Sequence, residues 1–240
     1  MTAEADITAI DDGGVNTAAE VRAALTSVLA RADSGEGDPP GGTYDDEFDD
    51  ASIHGDWTAV DLSGNEASWV EGNNRLSVEG ITDSAGYFHA LLKAATIPTG
   101  TIIETHMRVM AFHTSYPQAG LLFTDGVTEG AGVQTLMGMH IQLSQMQATN
   151  RSNFRSRDAF TTGPTIYPNP GSLGLYLRWK YTAANTFDGY VSLDGNSWEQ
   201  VFASFSDTIT PTHVGLWIES WGTATYKPQA SFSYFRMTTP

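Results

Sequence analysis

The chain has 240 residues with 28 acidic and 12 basic side chains, a formal net charge of −16, 24 glycines and no cysteine. That length suffices for one large β domain or two small ones with a real core. Absent cysteines exclude a disulfide-stapled scaffold, a thiolate metal site and a thiol nucleophile. So acidic a chain argues against nucleic acid as a partner, and no apolar run of about 18 residues is present to span a membrane as a helix.

Charge and aromatic content divide the chain. Residues 1–50 hold 13 of the acids and 2 of the bases, and only Tyr44 and Phe48 among the aromatics precede residue 51. Asp33-Ser34-Gly35-Glu36-Gly37-Asp38-Pro39-Pro40-Gly41-Gly42 has the composition of turns and linkers. The expected organisation is therefore an attachment segment with linker over 1–42 and one globular domain over 43–240. The first residues carry neither the positive n-region nor the apolar h-region of a secretory signal, so the expectation is a protein that does not leave by that route.

A helix is expected over 17–32. Thr17-Ala18-Ala19-Glu20 fits a capping box, and Gly35 follows the end. Ala18, Val21, Leu25, Val28 and Ala32 are spaced 3-4-3-4, a narrow apolar seam. A helix this short is marginal alone, so its seam packs either on its own domain or on copies of itself. The linker behind it favours copies, in a homotrimer or dimer. Ile7-Thr8-Ala9-Ile10-Asp11-Asp12-Gly13-Gly14-Val15-Asn16, continuing through Leu25, resembles the amino-terminal anchoring segments of tailed-bacteriophage virion fibres and head-decoration proteins. That resemblance implies a trimer seated on capsid or tail proteins.

After residue 43 the pattern changes to period two with frequent turn residues, as in an antiparallel sandwich. Ile103, Thr105 and Met107 alternate with Glu104, His106 and Arg108. Met137, Met139 and Ile141 alternate with Gly138, His140 and Gln142. Leu175, Leu177 and Trp179 alternate with Tyr176, Arg178 and Lys180, and Val214, Leu216 and Ile218 with Gly215, Trp217 and Glu219. The expected fold is all-β, an antiparallel jelly-roll sandwich. Asp45-Asp46-Glu47-Phe48-Asp49-Asp50, the hairpin Gly189-Tyr190-Val191-Ser192-Leu193-Asp194-Gly195-Asn196-Ser197-Trp198, and the closing Ala230-Ser231-Phe232-Ser233-Tyr234-Phe235-Arg236 resemble the first strand, a hairpin and the last strand of the concanavalin A-like (laminin-G/jelly-roll) superfamily. The resemblance runs over 43–240. It implies the fold and leaves function open, since such domains include lectins, hydrolases, lyases and adhesion modules.

If the apolar positions face the core, the opposite face carries His106, Arg108, His140, Gln142, Arg178, Tyr190, Trp217 and Glu219, with Glu104 and Ser192. Rings stack on the C–H faces of sugars while planar polar groups bind hydroxyls, so these residues are the candidate glycan site. The alternative is a set of ordinary cross-strand pairs or a subunit contact. A glycoside hydrolase needs two carboxyls at a set separation, and the hydrolases that the resemblance brings in carry Glu-x-Asp-x-x-Glu on one strand. This motif is absent, so no catalytic residue is named and the protein is expected to be non-enzymatic.

The basic stretch 150–157 suits an anionic polymer or an acidic protein surface, or is simply a solvated loop. No cofactor is expected. Calcium enters only through Asp45, Asp46, Asp49 and Asp50, an oxygen-rich run in a fold whose members often hold that ion, without the spacing of a dedicated metal loop. The function expected is that of a bacteriophage virion protein, a capsid decoration or fibre, assembled in the host cytoplasm and displaying a lectin-like domain for a host-surface glycan. The alternatives are a free bacterial carbohydrate-binding module or a polysaccharide hydrolase or lyase.

Overall fold

A computed structural model of the protein describes residues 45–61, 67–80, 87–109, 118–126, 136–142, 145–151, 159–165, 174–183, 185–206, 209–220 and 229–240. The expected helix and its seam residues Ala18, Val21, Leu25, Val28 and Ala32 lie outside these, as does the linker. The described residues form two antiparallel seven-stranded sheets.

The first sheet contains β1 (Trp57–Asp61), β4 (Tyr87–Ala94), β6 (Gln118–Thr124), β7 (Leu136–Gln142), β8 (Gln145–Arg151), β9 (Ala159–Thr165) and β13 (His213–Ser220), in the order β1-β4-β13-β6-β7-β8-β9, with β7, β8 and β9 described by their backbone alone. The second contains β2 (Ser68–Glu71), β3 (Leu76–Glu79), β5 (Ile102–Val109), β10 (Leu175–Ala183), β11 (Thr186–Ser192), β12 (Glu199–Ser206) and β14 (Gln229–Thr238), in the order β12-β11-β10-β5-β14-β3-β2. The expected sandwich is thus observed.

Strand patterning explains the layering. Along β10, Leu175, Leu177, Trp179 and Tyr181 are buried while Tyr176, Arg178 and Lys180 are half-buried, as period two requires of a sheet with one face on the core. Phe123 of β6 packs against Phe187 of β11 at 5.3 Å and Tyr181 of β10 at 6.3 Å between ring centroids, joining the two inner faces. By contrast, β6 is buried at every position, and so is β13 from Val214 to Glu219. These strands are covered on both sides and carry continuous apolar runs such as Leu121-Leu122-Phe123.

Residues 45–50 form no strand of their own. Asp46 makes one antiparallel bridge to Phe235, with N···O distances of 2.8 and 2.7 Å. The carboxylates of this run tie it to the sandwich: Trp57 Nε1 donates to Asp46 Oδ2 at 2.6 Å, and Met237 N to Asp45 Oδ1 at 2.9 Å. Phe48 is thereby buried, 6.3 Å from the ring of Trp57.

Candidate functional site

The eight residues expected on one polar face divide between the outer faces of the two sheets. His106, Arg108, Arg178 and Tyr190 lie on the second sheet. Trp217 and Glu219 lie on the first, where the backbone register aligns His140 with Gly120 and Trp217, and Gln142 with Gln118 and Glu219. Alternation says which side of its own sheet a residue takes, and carries no information on which sheet the strand joins.

At Trp217 and Glu219 the outer face of the first sheet is closed to solvent. Trp217 has no solvent exposure and stacks on Phe88 at 5.3 Å, within a second apolar cluster that includes Val60, Ala90, Leu92 and Leu122. Glu219 is also buried. Trp217 is therefore a packing residue rather than the exposed sugar platform expected of it.

The outer face of the second sheet is partly open, with Tyr176, Arg178, Tyr190 and Trp198 half-buried and Tyr234 and Arg236 buried. Tyr176 of β10 pairs with His106 of β5 and Ser192 of β11, and Arg178 pairs with Glu104 and Tyr190. The rings of Tyr176 and His106 stack at 4.4 Å, inclined by 26°. Arg178 lies 3.9 Å over the ring of Trp198 and its Nε donates to Glu104 Oε1, with 28% and 20% of the two ion-paired side chains exposed. Beside them Arg236 of β14 sits 4.3 Å over the ring of Tyr234 and donates to Glu47 from Nε and Nη2 at 3.0 to 3.2 Å. A register shift in β14 between Phe232 and Phe235 falls where Tyr234 meets Tyr176, at 6.5 Å.

The turn after β11 builds one wall. Asp194 Oδ1 accepts from Ser192 Oγ at 2.8 Å, Asn196 N at 2.9 Å and Ser197 N at 2.7 Å. The N–H groups of Ser197 and Asn196, with the Ser192 hydroxyl, hold its carboxyl well below the usual range. Gly195 has φ +75, and a Cβ there would stand 3.0 Å from the Tyr176 ring, so only glycine lets the turn rest on that ring. At the other end Gly174, φ +73, leaves room for His106, whose Nε2 lies 2.3 Å from the place of a Cβ.

Burial, with the charges of Arg108 and Arg75, lowers the His106 pKa to about 4, so the ring is neutral at pH 7. Burial raises Tyr234 above the ordinary phenol range and keeps its hydroxyl protonated. Partial burial and crowding by Asp45, Asp49 and Asp46 push Glu47 up to about 7, while burial brings Arg236 down to about 10.

Trp198, Tyr176, Tyr234 and Arg236 belong to this face but were not among the expected site residues. The alternation that placed Arg178 also marks Tyr176. Trp198 and Tyr234 sit in a turn and at a register shift, where period two no longer applies. Among the described residues no group of three or more His, Asp or Glu is placed to hold a metal ion, and the run considered for calcium spends Asp45 and Asp46 on hydrogen bonds within the chain.

No protein-family model and no curated protein matches the chain in sequence. Solved structures do share its fold. A β-1,3-glucanase from Mycobacterium marinum superposes with a TM-score of 0.55 at 11% identity, over 83% of this chain and 100% of that one. A legume lectin-like domain from Entamoeba histolytica gives 0.55 at 11% identity, over 77% and 90%. A xylan β-1,4-xylosidase from Bacillus halodurans gives 0.54 at 16% identity over 84% of this chain, which spans about 40% of the enzyme's length. The fold is a lectin-like β-sandwich that glycoside hydrolases also use. The expectation of a non-enzymatic protein is corrected by these hydrolases. It rested on a motif contiguous along one strand, whereas the sheet brings Glu104 and Glu47, distant in sequence, to either side of Arg236.

Proposed function

We propose that this protein binds carbohydrate on the outer face of its second sheet, and that residues 1–42 carry it as a trimer on a bacteriophage particle. One observation carries the binding reading: the half-buried rings of Tyr176, Tyr190 and Trp198 share a face with the Arg178–Glu104 pair. Flat apolar rings beside planar charged groups match the two surfaces of a sugar, C–H faces and hydroxyl edges. The lectin-like neighbours support a sugar as ligand. The particle reading rests on the resemblance of residues 7–25 to phage anchoring segments. Many copies on one particle would turn a weak single site into avid attachment.

The test is binding of xylan and of a β-1,3-glucan by the full chain and by Trp198→Ala. Loss of the ring should weaken binding by about tenfold and leave the melting temperature nearly unchanged. An unaltered isotherm would remove Trp198 from the site.

A second reading, polysaccharide hydrolysis, is favoured by Glu47 and Glu104. A carboxyl protonating near pH 7 and a second carboxylate nearby are what acid-assisted glycoside cleavage employs. Release of reducing ends from xylan or β-1,3-glucan decides it, and their absence from both sets this reading aside.

A further inference from the structure

Beyond the ring-lined row, the same face carries two arginines that the binding reading leaves unused. Arg108, on β5, and Arg75, just before β3, are both half-buried. Both charges bear on His106, whose ring lies between Tyr176 and Ser233, with Nδ1 3.1 Å from Ser233 Oγ. Ser231 pairs with Arg108 on one side and Ser77 on the other, so hydroxyl-bearing residues occupy the strands between the two arginines. The other two arginines of the face are spent, Arg178 on Glu104 and Arg236 on Glu47. Among the described residues no carboxylate pairs with Arg75 or Arg108, and Arg108 Nε is buried with no acceptor. Nε of Arg108 is closed to solvent, so the Nη groups of these two half-buried arginines are left for a ligand, and an oxyanion is the planar partner that arginine fits best. On a chain of net charge −16, such a locus is a local exception that long-range attraction does not explain.

We propose that the carbohydrate bound here is an acidic one, its carboxylate or sulfate received between Arg75 and Arg108 beside His106. This rests on the carbohydrate reading above. Neutral His106 adds no charge of its own, so the two guanidinium groups supply the attraction, and half-buried Ser77 offers its hydroxyl to a neighbouring sugar hydroxyl. The rings of Tyr176 and Trp198 lie along the same sheet for the residues that follow.

The test compares polygalacturonate with its fully methyl-esterified form, which has the same backbone without the charge, and dextran sulfate with dextran. The full-length protein should bind polygalacturonate at least about tenfold tighter than the ester. Arg108→Gln and Arg75→Gln should each narrow that gap, with thermal melting showing that the fold is kept. If Arg108→Gln fails to fold, Arg75→Gln carries the comparison. A preference for dextran sulfate over dextran without one for polygalacturonate would identify sulfate as the anion, if Arg75→Gln abolishes it. Equal binding of acid and ester with no sulfate preference overturns the proposal, as does a preference that survives both substitutions. Binding of neutral xylan or β-1,3-glucan alone also overturns it, while leaving the carbohydrate reading intact. If no glycan binds, both fail together.

Discussion

His106 shows how much one residue's setting determines its chemistry. Its sequence neighbours make it a polar residue of a strand, but Tyr176 stacked on one face, Ser233 at Nδ1 and Gly174 against its edge enclose it. Its pKa falls from 6.5 to about 4 in the folded protein. The unfolded chain therefore takes up a proton that the folded one refuses. The stability this provides is present above about pH 6.5 and lost as pH falls toward 4. Thermal unfolding between pH 6.5 and 4 should fall less steeply for His106→Gln than for the natural protein. Parallel curves would show that the ring titrates as freely folded as unfolded.

At the scale of strands, period two was legible wherever one face is buried and the other wet. Ile103 and Met107 of β5 and Leu175, Leu177 and Trp179 of β10 are in the core, as their alternation implied. The same reasoning failed for β13. Trp217 and Glu219 alternate correctly with Leu216 and Ile218, yet all four are buried, because this strand is covered on both faces. Nor did the sequence separate the sheets, so half of the expected site lies on the opposite side of the sandwich from the rest. Gly215 belongs to the same covered face, where a Cβ would meet Leu91 O at 2.2 Å. Trp217→Ala should accordingly cost about 3–5 kcal/mol in denaturant unfolding while leaving glycan affinity unchanged. Weakened binding without lost stability would return Trp217 to the site.

At the scale of the whole molecule, composition and turn spacing were enough for the sandwich, because alternation recurs over most of 43–240. The candidate site was half legible: Arg178, His106, Arg108 and Tyr190 could be assigned to a polar face, but Trp198, which lies under Arg178, comes from a turn, and the neighbouring Arg236–Glu47 pair joins opposite ends of the chain. Leu25 stands at the centre of the seam expected from the sequence, so under the proposed anchor Leu25→Asp in the full chain should convert a trimer to a monomer in light scattering and leave the β-sheet circular dichroism unaltered. A variant that remains trimeric would contradict a helical anchor.

Hydrogen exchange of the full-length protein with and without bound polysaccharide tests whether sugar is taken on the outer face of the second sheet. Slowed exchange should concentrate in the turn 193–198, which carries Trp198, and in β10 about Tyr176 and Arg178. Slowing confined to β6 and β13 would place the ligand on the first sheet and contradict the account.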